Sequence, residues 1–299
     1  MNQTSMHKIK DIARERGVYF IAEIGQNHQG QLDIAKKMVD SLVGTGVAAI
    51  KTAKRDIDTC LSEEQKNMIY DNPNSFGRTY YEHRKALELS KDDFIELKNY
   101  TEAAGFEFFS SFTDENSLDF LVEIGVRYLK IASQRLADYE LMKKTAAKGL
   151  PMIISTGMSN IEDVDKIIEI FANNEKYLLQ CSSIYPCPES ELHLNVMKTY
   201  QERYKGKIVG VGFSGHHAGI APDIAAYMLG AEIIERHYTL SRAWKGTDHA
   251  ASLEKRGIEY ILKYIAQVKD SLGSFEKVVL EGEKPAMKKL RADLHSPNS

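Results

Sequence analysis

His216, in VGVGFSGHH, and His237, in EIIERHYT, each close a short run of apolar and β-branched residues. Side chains alternate along a strand, so Glu235 shares the face of His237 and Ser214 shares the face of His216. If the two runs are neighbouring strands, both imidazoles reach one divalent cation. Imidazole suits Mn²⁺, Fe²⁺ or Zn²⁺, and two protein ligands leave coordination positions open for water and substrate. Either histidine alone is also consistent with a hydrogen-bonded rim residue; the agreement of two strand ends is what favours the metal. His217 has the opposite parity and reads as structural.

Lys51 and Lys130 also end apolar runs, where a buried ammonium is costly unless it meets an anion. With Ser111, Ser133, Ser155 and Ser214 they make a set of donors suited to a small ligand carrying both phosphate and carboxylate. Each serine alone could instead cap a following helix, and a lysine of lowered pKa could form a Schiff base. Glu23, in AEIGQNHQG, either contacts a substrate hydroxyl or staples its loop. Tyr185, in CSSIYPCP, either stacks on a sugar or packs. Asp248, in KGTDHAASLE, either meets substrate or metal-bound water, or caps the last helix.

The elements that must position these residues are eight short runs: YFIAEIG, AAIKT, EFFSSF, YLKIAS, PMIIST, YLLQCSS, IVGVGFSG and EIIERHYT. They begin near-continuously hydrophobic, as strands buried on both faces do, and nearly all turn polar at the end. Amphipathic stretches such as QLDIAKKMVDSLVGTG lie between them, several stopped by Gly or Asn. Eight strands alternating with helices predict an α/β protein, a (β/α)8 TIM barrel whose polar strand ends form the functional rim. The predicted organisation is an N-terminal extension over 1–18, the catalytic barrel over 19–273 and a C-terminal tail over 274–299. The long second connection, with DNPNSFG and an aromatic run at Tyr80 and Tyr81, is expected to form a lid.

Composition narrows the function classes. A net charge of −3 leaves no broad basic surface, so neither nucleic acid nor an acidic membrane is implied as a partner. Three scattered cysteines make no disulfide framework, and no stretch approaches the ~20 apolar residues of a membrane span. A cytoplasmic protein acting on small molecules is expected.

FIAEIGQNHQG, the lysine of IKTAK, KIAS, IISTGM, CSSIYPCP, GFSGHH and IIERHYT together resemble the sialic acid synthase family, from about Tyr19 to about Leu272. The resemblance implies condensation of phosphoenolpyruvate with an aldose, N-acetylmannosamine or a related and possibly anionic sugar. The product is a 2-keto-3-deoxy sugar acid, released with phosphate. It implies His216 and His237 as ligands of Mn²⁺ or Mg²⁺. Lys51, Ser111, Lys130, Ser133, Ser155 and Ser214 would hold phosphoenolpyruvate, and Glu23, Tyr185 and Asp248 would face the sugar. A homodimer is also implied.

Three departures stand out against the resemblance. The family's antifreeze-like domain is not found after the barrel. Gln134 and Arg135 stand where a glycine and an acidic residue are common, and Arg135 is read as a reader of an anionic acceptor. Gly215 stands where the family usually has an aspartate, which would remove either an acid/base group or one that orients the metal histidine. The alternatives are an eight- or seven-carbon 3-deoxy sugar phosphate synthase on the same barrel, a Schiff-base aldolase, and a non-catalytic barrel that binds a sugar acid.

Overall fold

The computed structural model describes residues 5–292. The remaining residues of the expected extension and tail, 1–4 and 293–299, lie outside the described residues. The eight strands are β1 Tyr19–Gly25, β2 Ala49–Lys54, β3 Glu107–Phe112, β4 Leu129–Ile131, β5 Met152–Ser155, β6 Lys176–Cys181, β7 Gly210–Gly215 and β8 Ile233–His237. All are parallel and close in sequence order, β8 pairing with β1. The expected (β/α)8 barrel is therefore the fold. The chain divides into two compact units, Met1–Ala266 and Gln267–Ser299. The first contains the barrel; the second contains a short helix at Lys284–Leu290.

The period-2 rule sorts each strand into two environments. Phe20, Ala22 and Ile24 of β1, Phe108 of β3, Met152 and Ile154 of β5, and Ile234 of β8 join the layer between strands and helices. Their alternates Tyr19, Ile21, Phe109, Ile153, Tyr177, Leu179 and Ile233 fill the barrel interior, together with Met6 and Ile9 of the helix Ser5–Arg16. Each such side chain contributes about 1.5–3 kcal/mol on burial. One more step along the inward column changes the chemistry: Tyr19 and Ile21 are followed by Glu23. The barrel is thus apolar inside up to the layer where the charged side chains begin.

Register brings those charged residues to one level. Glu23 pairs with Lys51 on one side and His237 on the other. Ser111 pairs with Lys130, and Ser214 with Glu235.

The long connection after β2 folds into three short helices, Ile57–Cys60, Glu63–Asn67 and Tyr80–Ala86. It is fastened over the same end of the barrel. The Gly246 N–H donates to Asn74 Oδ1 at 3.3 Å, Lys245 lies 5.0 Å from the Phe76 ring, and Gln29 Nε2 donates to the Lys245 carbonyl at 2.9 Å. Asn27 is the residue that staples the β1 loop, donating to the Tyr238 carbonyl and to Ser252 Oγ.

His28 beside it is buried, and its Nδ1 accepts the Gly30 N–H. Burial lowers its pKa to about 4. Between the unfolded value near 6.5 and that value, the unfolded chain binds a proton that the folded chain does not. Stability is therefore expected to fall as pH drops through this window, by up to about 1.4 kcal/mol per pH unit. Urea midpoints measured from pH 7 to pH 4.5 check this, and the slope is expected to be shallower in His28→Asn.

Candidate active site

A cleft of about 360 Å³ opens at the C-terminal end of the strands. Its wall includes Glu23, Lys51, Ser111, Lys130, Ser133, Ser155, Tyr185, Ser214, His216, His237 and Asp248. Eleven of the twelve residues singled out from the sequence thus meet in one place.

At its floor two carboxylates face two ammoniums. Lys51 is ion-paired with Glu23 and lies 3.9 Å from Glu235; Lys130 Nζ lies 3.6 Å from Glu235. Lys130 also donates to Ser155 Oγ at 2.6 Å and to the Ile131 carbonyl at 3.1 Å, while Ser214 Oγ donates to Glu235 at 3.1 Å. All four charged groups are buried, so their titration reflects a contest between desolvation and partners. Burial wins at Glu23, raised to about 7 against the pull of Lys51, and at Lys130, which is lowered. At Lys51 burial is outweighed by Glu23 and Glu235, which raise it; at Glu235 burial is outweighed by Lys130 and Lys51, which lower it.

The serines sit between these groups. The Gly157 N–H donates to Ser133 Oγ at 3.0 Å, and Ser133 Oγ lies 3.5 Å from Cys181 Sγ. A Cβ on Gly157 would stand 2.3 Å from Ser183 Oγ and 2.8 Å from Ser133 Oγ, so the absence of a side chain there keeps the serine cradle open.

The imidazole pair stands opposite. The His216 and His237 rings are 5.3 Å apart, and the Tyr185 ring lies tilted 4.0 Å from the first and edge-on 5.8 Å from the second. His216 Nδ1 donates to the Ser182 carbonyl at 2.9 Å, which leaves Nε2 free to bind a metal. His237 Nδ1 is buried without a hydrogen-bond partner, 3.7 Å from Asp248. Burial lowers the His237 pKa to about 4, so its ring is neutral, the state that a metal requires. Glu235 Oε2 is likewise buried without a hydrogen-bond partner. Among the described residues no group of three or more His, Cys, Asp or Glu side chains is set to hold a metal. The donor set on offer is therefore the two imidazoles, which fits a divalent cation that shares its shell with substrate and water. Asp248 makes no helix-capping bond; its carboxylate accepts from Thr247 Oγ1 at 2.9 Å.

Two expectations change. Arg135 does not line the cleft. The chain after Ser133 turns through a 3-10 helix at Ser133–Arg135, and three residues per turn place Gln134 on the wall and swing Arg135 to within 3.6 Å of Asp138. Gly215 lies on the outward face, where Phe213 stacks on His217; a Cβ there would be 2.7 Å from the Phe213 ring. A carboxylate at 215 would not have entered the cleft, so the glycine removes no acid/base group from it. His217 is structural as expected, buried against Asp223 and Arg236.

The cleft also holds residues that strand-end reading passes over. Parity places Glu235 on the face of His237 but assigns it no role. Arg55, one residue past β2, continues the parity of Lys51 and Ala53, whereas Arg84 lies on the long β2 connection, where periodicity carries no signal.

A parallel barrel with a buried lysine pair and a histidine pair at the strand ends defines a class, the small-molecule enzymes that work at the mouth of a (β/α)8 barrel. Within that class the chain belongs to the NeuB family, whose profile matches residues 38–277. It is 37% identical to the N-acetylneuraminate-9-phosphate synthase of Homo sapiens, over 91% of this chain and 76% of that protein. It is 34% identical to the N,N'-diacetyllegionaminic acid synthase of Legionella pneumophila, over 89% and 76%. The crystal structure of the N-acetylneuraminic acid synthetase of Leptospira borgpetersenii superposes with a TM-score of 0.78 at 29% identity, covering 93% of this chain and 92% of that one. Among the described residues, no helix is long and apolar enough to cross a membrane.

Proposed function

We propose that this protein is a transferase that forms a carbon–carbon bond between phosphoenolpyruvate and an aldose, giving a 2-keto-3-deoxy sugar acid and phosphate. The observation that carries the reading is the placement of Lys51 and Lys130, with their serines, across one cleft from His216 and His237. The lysines and Ser111, Ser133, Ser155 and Ser214 bind the donor's phosphate and carboxylate and hold its C3 toward the acceptor. A divalent cation, Mn²⁺ or Mg²⁺, bound by the two histidines supplies Lewis acidity toward the aldehyde. C3 bonds to the aldehyde carbon, whose oxygen takes a proton. Water adds at C2 and loses a proton; the resulting C2 hydroxyl gives up its remaining proton to become the ketone as phosphate leaves with its bridging oxygen and takes that proton. Glu23, its pKa raised by burial to about 7, is suited both to give the first proton and to accept the second. Tyr185 and Asp248 contact the sugar.

The test is phosphate release from phosphoenolpyruvate with Mn²⁺ and a panel of neutral and phosphorylated aldoses. Release that requires one aldose is expected. Release independent of any aldose, or none across the panel, contradicts the reading. Gly157→Ala is expected to crowd Ser133 and Ser183, raise the KM for phosphoenolpyruvate about tenfold, and cost roughly 1–3 kcal/mol in stability. Steady-state kinetics and a thermal melt check it.

A Schiff-base aldolase is the second reading, favoured by the lowered pKa of Lys130. Borohydride with pyruvate would label Lys130 in that case and leaves it unlabelled in ours. The same proposal places the enzyme in the cytoplasm as a homodimer. Three free cysteines support the reducing compartment and the family resemblance supports the dimer, which light scattering tests.

A further inference from the structure

The ladder between β7 and β8 stops one residue short of the histidine pair. Its last pair is Gly215 with Arg236, and the ladder of β7 with β6 ends at Ser214. His237 is still held by the pairing of β8 with β1: it lies opposite Glu23, and its carbonyl accepts the Leu253 N–H at 2.8 Å. His216 is held by loops instead, its carbonyl accepting the Cys187 N–H at 3.0 Å and its Nδ1 donating to the Ser182 carbonyl. The strand ladder therefore does not fix one imidazole against the other.

The residues next in the chain, Arg236 before His237 and His217 after His216, have the opposite parity and point away from the cleft. There they meet Asp223 of the helix Ala221–Met228, and all three side chains are fully buried. Arg236 is ion-paired with Asp223 through Nη1, which also lies 3.0 Å from His217 Nε2 and donates to the Gly219 carbonyl at 3.1 Å. Its Nη2 donates to the His217 carbonyl, and His217 Nε2 lies 3.2 Å from Asp223 Oδ2. Gly215 leaves room for this arrangement, since a Cβ there would stand 3.0 Å from His217 Cε1. One guanidinium on β8 thus holds two carbonyls of the chain that leaves β7. Stability is a poor account of it, because a buried ion pair is often no better than an apolar replacement of the same volume. Here, moreover, Arg236 Nε, Asp223 Oδ1 and His217 Nδ1 are buried without a hydrogen-bond partner. What the cluster does supply is a rigid link between the two backbones that carry the imidazoles.

We propose that Arg236, with Asp223 and His217, is a positioning group for the divalent cation: from the side of the strands away from the cleft it sets the separation of His216 and His237, and so the affinity of the metal site. The inference rests on the synthase reading in one respect, that the two histidines are the metal ligands. It adds residues that touch neither metal nor substrate and act through the peptide bonds next to the ligands. Partners that orient metal ligands commonly carry about 10–100-fold of metal affinity.

The experiment titrates Mn²⁺ into the full chain, followed by electron paramagnetic resonance, and measures phosphoenolpyruvate binding without metal by calorimetry. The variant that removes both charges, Arg236→Met with Asp223→Leu, leaves no buried ion unpaired and is expected to melt near the wild-type temperature. Its Mn²⁺ affinity is expected to fall about tenfold or more, with phosphoenolpyruvate binding within about twofold of wild type. Arg236→Lys keeps a charge for Asp223 but not the fork that reaches both carbonyls, and it is expected to weaken Mn²⁺ in the same way. Should the double variant not fold, Arg236→Lys and Asp223→Asn decide by the same two readings. Unchanged Mn²⁺ affinity in a folded variant overturns the positioning role and leaves the histidine site standing. Equal loss of Mn²⁺ and phosphoenolpyruvate binding also overturns it, since the cluster then supports the barrel mouth as a whole. A wild-type protein that binds no Mn²⁺ overturns the metal reading and this inference with it.

Discussion

Replacement of His216 or His237 by Ala is expected to lower kcat by at least ~10³-fold, the scale of losing the charge that stabilises a developing oxyanion. The two rings are 5.3 Å apart and come from adjacent strands, so one cation can bind both. His216 is oriented by the Ser182 carbonyl, whereas His237 Nδ1 has no hydrogen-bond partner, and each variant leaves a single imidazole. Chelation of the wild-type protein is expected to give the same loss, reversed by Mn²⁺. Titration of Mn²⁺ followed by electron paramagnetic resonance reads the site independently of turnover. Binding is expected to weaken sharply in either variant. Full activity after chelation, or unchanged Mn²⁺ binding in both variants, would falsify the histidine pair as a metal site.

Lys130→Met is expected to produce the second large effect. Lys130 is buried between Ser155 and Glu235, where it would meet the donor's negative charge. Its loss is expected to weaken phosphoenolpyruvate binding by roughly 100-fold, the range of a charge-assisted hydrogen bond. The fold should suffer as well, since Glu235 keeps Lys51, 3.9 Å away, as its cationic partner beside the Ser214 hydrogen bond, and breaking a buried pair costs about 3–5 kcal/mol. Pairing Lys130→Met with Glu235→Leu separates the two roles. Stability measured in urea should largely return, whereas the affinity for phosphoenolpyruvate, measured by calorimetry, should not. If affinity returns along with stability, Lys130 is a structural lysine and the donor is held elsewhere.

Where strand periodicity operates, the site was legible in the sequence. The inward column Tyr19, Ile21, Glu23 and the same-face pair Glu235 and His237 follow from alternation alone, and each strand end reaches the same layer because the barrel closes in order. The reading failed where the chain leaves the strands. The residue after Ser133 enters a single 3-10 turn, and no pattern in KIASQR shows that Gln134 would face the cleft and Arg135 turn to Asp138. Gly215 was read as a missing catalytic group, yet its parity already placed it with Phe213 and His217 on the outward face. Arg84 lies in the cleft wall on the β2 connection, which is fastened to the β8 loop through Asn74, Phe76 and Lys245. Such contacts join residues more than 150 positions apart and leave no local trace.

The most direct test of the central claim uses phosphoenolpyruvate carrying ¹⁸O in its bridging oxygen, incubated with Mn²⁺ and an accepted aldose, with the products weighed by mass spectrometry. The account predicts a sugar acid with the combined mass of aldose and pyruvate and without label, and inorganic phosphate that keeps the ¹⁸O, because the C–O bond is the one that breaks. Label retained in the organic product, or labelled pyruvate released with no condensed acid, would contradict it.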